Sequence, residues 1–522
     1  MRELVYHRLL LPAINRYADK TGFVDMGYEG TYASHGDRVF RLCRALREEL
    51  GVERDDRFAV MATNSHQYLE LYHAAFLGAG IINPLNLRLA GPELDYIVRD
   101  SGTEVVFVDA FFAQHFANAM ESSDGPSPIR HIVLIGDGDV PHDIKYEDLI
   151  AAVEPEILDE PDESDLAVLM YTGGTTGLPK GVVLEHRAEM LNLYHIGMVV
   201  PFDENSVYMH QTPMFHAASM GGIMGTPASG GTTVFQPLFD PGQSLELIEQ
   251  HQVTQTMMVP TMIAMLLGHP DFATDRLSSL ERLTYGASPM PAALLDRLLA
   301  MYPELNVTQG YGMTESSSLL TWLTADAHRE GGPRLQSAGR PVTGVVLSIR
   351  DADGNELPTG ETGEVCARAG NFMREYWNKP EATAEVFHEG WYHTGDAGYV
   401  DEGGYLFLVD RVKDMIVSGG ENVYSAEVES VISKHDDVTQ VAVIGIPHET
   451  WGEQVHAIIV VQDDTSLTES EIQEFARAHI AGYKVPKSVE FRTEPLPLSG
   501  AMKILKRELR KPYWGDQGRG VN

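Results

Sequence analysis

One stretch carries much of the chemistry open to this sequence: Tyr171-Thr172-Gly173-Gly174-Thr175-Thr176-Gly177-Leu178-Pro179-Lys180-Gly181. Between Thr172 and Lys180 it offers three glycines, three hydroxyls, a proline and a cationic lysine. Glycine lets backbone amides approach an anion closely and adopt positive φ, and successive amides of that kind form an anion nest. Threonine hydroxyls add donors and Lys180 adds charge. These residue types point to a loop that holds nucleotide phosphates. A flexible surface turn is the plainer alternative. It is disfavoured because the loop bears a lysine and directly follows the apolar run Leu166-Ala167-Val168-Leu169-Met170, which reads as a buried strand. The spacing is not GxxxxGK[ST]: Pro179 precedes the lysine and Gly181 follows it, which counts against a Walker-type kinase or ATPase.

A second motif is Val307-Thr308-Gln309-Gly310-Tyr311-Gly312-Met313-Thr314-Glu315. A flat aromatic between two glycines suits a purine face, and Glu315 is a hard oxygen ligand suited to Mg²⁺, which takes few carboxylates plus substrate phosphates. Upstream, Leu283-Thr284-Tyr285-Gly286-Ala287-Ser288-Pro289 leads into a helix expected from Ala292 to Met301. That strand-loop-helix order puts glycine-rich backbone at the carboxyl end of a strand, where α/β sheets bind ligands.

The first loop resembles the phosphate loop of the adenylate-forming (ANL) superfamily: acyl-CoA synthetases, aryl-CoA ligases, luciferases and the adenylation domains of peptide synthetases. The serine usual after the first threonine is Gly173 here. The resemblance implies nucleotide contacts at Thr172, Gly173, Gly174, Thr175, Thr176, Gly177 and Lys180, at Gly286, Ala287 and Ser288, and at Gln309, Gly310, Tyr311, Gly312, Met313 and Thr314, with Tyr311 on adenine and Thr314 near the α-phosphate. It implies Mg²⁺ on Glu315 with Thr172. Within Gly390-Trp391-Tyr392-His393-Thr394-Gly395-Asp396, Asp396 would take the ribose hydroxyls. Without the resemblance it reads equally as an Asx turn. Leu408-Val409-Asp410-Arg411-Val412-Lys413-Asp414 resembles the superfamily's hinge, with Arg411 on ribose or phosphate and Lys413 at the pivot. His216, in Pro213-Met214-Phe215-His216, would line the acyl pocket as a wall rather than a base, since a carboxylate is already ionised near pH 7. Met258, Gly310 and Gly312 complete the expected acid-binding set. Met214, Met220, Met224, Met258, Met262, Met265 and Met290 cluster around these elements and together suggest adaptable apolar space, although each alone reads as ordinary core.

Near the end, Leu496-Pro497-Leu498-Ser499-Gly500-Ala501-Met502-Lys503-Ile504-Leu505-Lys506 aligns without a gap on the superfamily's catalytic-lysine stretch, placing Lys503 on the catalytic position. Ala501-Met502 stand where relatives carry Ser/Thr-Gly. A solubilising basic end is the reading without the resemblance. Gly419-Gly420-Glu421 would line a thiol channel. Trp451, in Trp451-Gly452-Glu453, reads as a platform near the CoA nucleotide or as a core tryptophan. Tyr483-Lys484 resembles the CoA-using branch, with Lys484 on a CoA phosphate.

The elements that must position these groups alternate. The segments Phe58-Ala59-Val60-Met61, Val105-Val106-Phe107-Val108 and Ile132-Val133-Leu134-Ile135 read as strands with helices between them, implying βαβ units and a mainly parallel sheet. Ser34 is the expected cap of a helix with Val39, Leu42 and Leu46 on its apolar face. Glu154 to Asp165 reads as a solvated acidic linker, and 339–365 as a small antiparallel β piece. The fold class is therefore α/β. Residues 1–409 form a large N-terminal domain of α/β subdomains with a small β-barrel-like piece, 410–413 a hinge, and 414–522 a small mobile α+β domain.

A chain of 522 residues exceeds one core. Its net charge of −36 argues against a nucleic-acid partner. Cys43 and Cys366 form no disulfide framework and read as buried thiols. No apolar run reaches membrane-spanning length, so a cytoplasmic enzyme is expected, with a homodimer left open. The expected reaction is ATP-dependent acid–thiol ligation with CoA through an acyl-adenylate, on a fatty acid, with an aryl acid as the alternative. The rivals are loading of a carrier protein, luciferase-like oxidation of the adenylate, and a non-catalytic nucleotide-binding regulator.

Overall fold

The computed structural model describes residues 4–121, 125–172, 178–411, 414–418, 421–448, 451–461, 467–499 and 504–514. Apolar runs with no alternation form buried strands, as expected where helices cover both sheet faces. Val105–Asp109 shows this: Val105, Val106, Phe107 and Val108 are each 1 % exposed or less.

Four sheets organise the described chain. The first has seven strands and uses Arg57–Met61, Ile81–Pro84, Val105–Asp109, His131–Ile135 and Ile144–Lys145 in parallel. Leu166–Thr172 joins Ile81–Pro84 in parallel, and Lys180–Glu185 closes the edge antiparallel to it. The second has nine strands, with a parallel centre that includes Gln255–Met258, Arg282–Gly286 and Asn306–Tyr311. The third is a five-stranded antiparallel sheet from Val346–Arg350, Gly363–Arg368, Phe387–His388, Trp391–Val400 and Leu406–Arg411. The fourth, also five-stranded, is built from strands between Ile416 and Arg492. The expected α/β class, the small curled β piece and the small α+β terminal unit are all present.

Several local expectations need correction. Thr31, not Ser34, caps the helix Tyr32–Glu48: Thr31 Oγ1 accepts from Ser34 N, while Ser34 Oγ donates to Thr31 O from inside the first turn. The acidic segment 154–165 is an ion-paired strap rather than a solvated linker. Glu156 meets Arg47 (2.8 Å), Glu160 meets Arg8 (2.5 Å), Glu163 meets Arg187 (3.1 Å) and Asp165 meets Arg54 (3.5 Å). Arginines distant in sequence account for this. The basic end is likewise neutralised on its own unit: Lys506 pairs with Glu429 (2.7 Å) and Arg510 with Asp414 (2.6 Å).

The methionine set does not converge. Met214, Met220 and Met224 pack in one core, Met258 and Met262 in another, and Met265 is 46 % exposed. Both cysteines are buried. In the helix His186–Val199, Glu189 is fully buried and neither carboxyl oxygen has a hydrogen-bond partner among the described residues; burial pushes its pKa up to about 8. No helix among the described residues is long and apolar enough to cross a membrane.

Candidate active site

The predicted phosphate loop is a hairpin connection. Thr172 and Lys180 are direct partners in the antiparallel ladder, and Thr172 Oγ1 donates to Lys180 O (3.4 Å). Lys180 thus opens a strand, whereas a Walker lysine opens a helix. The loop residues Gly173, Gly174, Thr175, Thr176 and Gly177 lie outside the described residues, as do Lys413, Gly419, Gly420 and Lys503. The side chains of Arg411 and Glu421 also lie outside them.

Lys180 Nζ sits 4.8 Å from the ring centroid of Tyr376, and Tyr376 Oη donates to Glu315 Oε1 at 2.8 Å. This joins the two sequence motifs through a third residue. Tyr376 is held where it is by the backbone. Residues 374–377 run along the hairpin strand, with Val182 and Tyr376 bridged antiparallel and Trp377 N donating to Gly181 O (2.7 Å). Met373 N donates to Glu315 O (2.7 Å), fixing the carboxylate's own backbone. A cation over an aromatic face is attracted by the ring quadrupole, so Tyr376 orients both the charge and the carboxylate. Tyr392 lies behind: burial, then the charge of Glu315, holds its phenol well above the usual range.

The strip 308–315 is half-buried at every position, the exposure of a cleft wall. Its glycines are sterically required. A Cβ on Gly312 would lie 1.9 Å from Ser318 O, and one on Gly286 would lie 2.4 Å from Gly310 O, its partner in the next strand. Ala287 turns away from the strand end at φ 65°, and Ser288 follows half-buried. Gln309 Oε1 accepts from Tyr285 Oη at 3.1 Å. Thr314 opens a short 3₁₀ turn that carries Glu315.

Across this strip, Tyr311 Oη donates to Asp396 Oδ2 at 2.6 Å. Asp396 is 6 % exposed and pairs with Arg411 in the ladder between Trp391–Val400 and Leu406–Arg411. The turn before it is braced by Glu364, whose Oε1 accepts Gly395 N (3.1 Å) and whose Oε2 meets His393 Nδ1 (2.8 Å). Cys366 Sγ lies 3.4 Å from the same His393 nitrogen, and burial pushes that thiol up to about 12.

His216 is half-buried; its Nδ1 accepts Ala218 N (3.3 Å) and caps a short turn. Met258 is wholly buried core. On the terminal unit, Trp451 is 40 % exposed and stacks on His448 (4.3 Å between centroids, 12° between planes), so the core-tryptophan alternative is set aside. Tyr483 is 42 % exposed. Lys484, expected on a phosphate, forms a two-pronged ion pair with Glu427 (2.7 Å to each oxygen). The cation facing Trp451 is Lys487, 5.8 Å from the ring centroid. Tyr376, Tyr392, Glu364 and Lys487 had no signal in the sequence, because their roles come from partners tens or hundreds of positions away.

The family model of AMP-binding enzymes matches residues 12–377, and that of the AMP-binding enzyme C-terminal domain matches 427–503. The chain belongs to the AMP-binding enzyme family. It is 38 % identical over 484 residues to a feruloyl-CoA synthase of Amycolatopsis, covering 92 % of this chain and 94 % of that one. It is 36 % identical over 486 residues to a fatty acid–[acyl-carrier-protein] ligase of Streptomyces coeruleorubidus, covering 92 % and 91 %. It is 36 % identical over 503 residues to a long-chain-fatty-acid–CoA ligase of Mycobacterium tuberculosis, covering 96 % of each. Among solved structures, an anthranilate CoA ligase in complex with anthranoyl-AMP superposes with a TM-score of 0.88 at 27 % identity, covering 98 % of this chain and 97 % of that one. This family member is an AMP-forming acid–thiol ligase of the acyl-CoA synthetase branch, with a carboxylic acid, ATP and CoA as its substrates.

Proposed function

We propose that the cleft between Lys180, Glu315 and Asp396 adenylates an aromatic or fatty carboxylic acid and then passes the acyl group to CoA. The observation that carries this reading is the convergence of Lys180 and Glu315 on Tyr376. One group suits phosphate, the other a metal, and a shared phenol holds them at fixed separation.

In the first half-reaction the acid's carboxylate attacks the α-phosphorus of ATP in line. A P–O bond forms to the acid, the bond to the β-phosphate bridge breaks, and pyrophosphate leaves. Two anions meet, so the protein must position them and offset developing charge. Lys180 and the 173–177 amides would hold the β- and γ-phosphates. Tyr311 and Thr314 would take the adenine and α-phosphate sides, and Asp396 the ribose hydroxyls. Lys503 would bridge the carboxylate and the α-phosphate. Glu315 fits Mg²⁺, since only one of its oxygens takes the Tyr376 hydrogen bond. With Thr172 it would hold the ion, which when bound offsets phosphate charge. In the second half-reaction the CoA thiol attacks the acyl carbonyl, loses its proton and expels AMP. Rotation of the unit beyond a 410–413 hinge would exchange Lys503 for the 419–421 face, with Trp451, Lys487 and Tyr483 on the CoA nucleotide side.

An aryl acid is the favoured class, on the feruloyl and anthranilate relatives together. A carrier protein as acceptor is the second reading, on the Streptomyces coeruleorubidus relative. The test is pyrophosphate release over a panel of cinnamic, benzoic and aliphatic acids, with CoA, with a phosphopantetheinylated carrier protein, and with neither. ATP binding with no pyrophosphate from any acid would sink the proposal. Lys503→Ala should slow adenylate formation sharply yet spare thioesterification of supplied acyl-AMP.

A further inference from the structure

Arg88 lies in no motif. It sits on the turn after Ile81–Pro84, and its guanidinium Nη1 donates to two successive carbonyls of the terminal unit, Leu498 O (3.1 Å) and Ser499 O (3.0 Å). More than four hundred residues separate donor and acceptors.

Both sides of this contact are braced. On the large unit, Asn86 Oδ1 accepts Arg88 N (3.0 Å), Leu89 O meets His115 Nε2 (2.9 Å), and Ala90 N donates to Glu93 Oε2 (2.9 Å). On the terminal unit, Leu498 and Ile504 are bridged antiparallel, and Leu505 N donates to Pro497 O (2.8 Å). Immediately beyond, Lys506 and Arg510 tie the helix Lys506–Trp514 to Glu429 and Asp414.

The position matters because of the first sheet's register. Ile82 and Val168 are partners in a parallel ladder, so Ile81–Pro84 and Leu166–Thr172 end at the same edge of the sheet. Arg88 therefore anchors the two carbonyls at the edge where Thr172 ends. Four peptide units link Ser499 to Lys503, a span of at most about 14 Å.

We infer that Arg88 is a positioning residue for adenylation: by holding the Leu498 and Ser499 carbonyls it docks the segment that leads to Lys503 at the sheet edge where Thr172 ends, and it must release them before thioester formation. The inference rests on the reading of Lys503 as the adenylating lysine. A guanidinium is suited to the task because its donors are fixed in one plane and it stays charged at every working pH. Carbonyl acceptors carry no net charge, so the contact can break without stranding an anion.

The experiment measures two half-reactions on the full chain: pyrophosphate release in a single turnover, and CoA thioesterification of chemically supplied acyl-adenylate. Arg88→Ala should lower the first at least 10-fold and leave the second within 2-fold, with an unchanged melting temperature. Arg88→Lys should recover part of the loss. In a Lys503→Ala background, Arg88→Ala should cost nothing further, since the two act as a unit. Equal loss in both half-reactions, no loss in either, or additive loss in the double variant would overturn the role of Arg88. Lys503→Ala alone reports separately on the underlying reading: if it leaves adenylation intact, that reading falls, whatever Arg88 does.

Discussion

Tyr311 and Asp396 are 85 residues apart and share a 2.6 Å hydrogen bond, with the tyrosine donating. The bond links the strip expected on adenine to the carboxylate expected on ribose, so the two side chains form one unit. Asp396→Ala should raise KM for ATP at least 10-fold, because it removes the expected ribose acceptor along with the Tyr311 hydrogen bond. Tyr311→Phe removes one net hydrogen bond, about 0.5–1.5 kcal/mol, and should raise it only about 2- to 10-fold. Steady-state kinetics with ATP varied at saturating acid tests both. Equal effects would show that Asp396 does not touch the nucleotide.

Glu315 is the expected metal ligand, and among the described residues Tyr376 is the one hydrogen-bond partner of its carboxylate. Glu315→Gln keeps the shape and the Tyr376 contact and removes the charge. It should cut the adenylation rate by about 10²–10³, the scale of losing one electrostatic contact to a transition state, and raise the Mg²⁺ concentration for half-maximal rate. Tyr376→Phe should cost about 10-fold. A Mg²⁺ titration unchanged in Glu315→Gln would remove Glu315 from the metal site.

Glu189 gives a pH prediction. Burial raises its folded pKa to about 8 against an ordinary value near 4.3. Between those values the folded chain keeps a proton that the unfolded chain has lost, so this group erodes stability as pH rises from about 4.5 to 8. Glu189→Leu should remove the erosion. It should be more stable than the parent by about 1–3 kcal/mol at pH 8, with the difference shrinking toward pH 5. Thermal melts from pH 5 to 8.5 check this; a pH-independent difference would refute it.

Lys487 and Lys484 are three residues apart and have different partners. Lys487→Ala should raise KM for CoA several-fold and leave CoA-independent pyrophosphate release unchanged, as expected of an exposed cation over an exposed indole. Lys484→Ala should instead leave Glu427 unpaired and lower the melting temperature of the terminal unit, with a smaller effect on CoA. A larger CoA effect in Lys484→Ala than in Lys487→Ala would restore the sequence-based assignment.

The buried strand Leu166–Thr172 and the strip ending at Glu315 were legible in the sequence because their physics is local. An apolar run bounded by glycines and hydroxyls specifies a buried strand that stops at Thr172, and Gly312 is glycine because another chain segment passes where a side chain would begin. Parallel strands were legible for a similar reason: burial on both faces demands continuous apolar runs. The sequence could not say what faces those runs across the cleft. Tyr376 acquires its place by lying along a strand nearly two hundred residues earlier, Lys484 meets Glu427, and Arg88 finds carbonyls at the far end of the chain. Partner choice of this kind depends on which surfaces the sheets bring together. Charged side chains take the nearest satisfying partner in space, and only the tertiary structure decides which one that is.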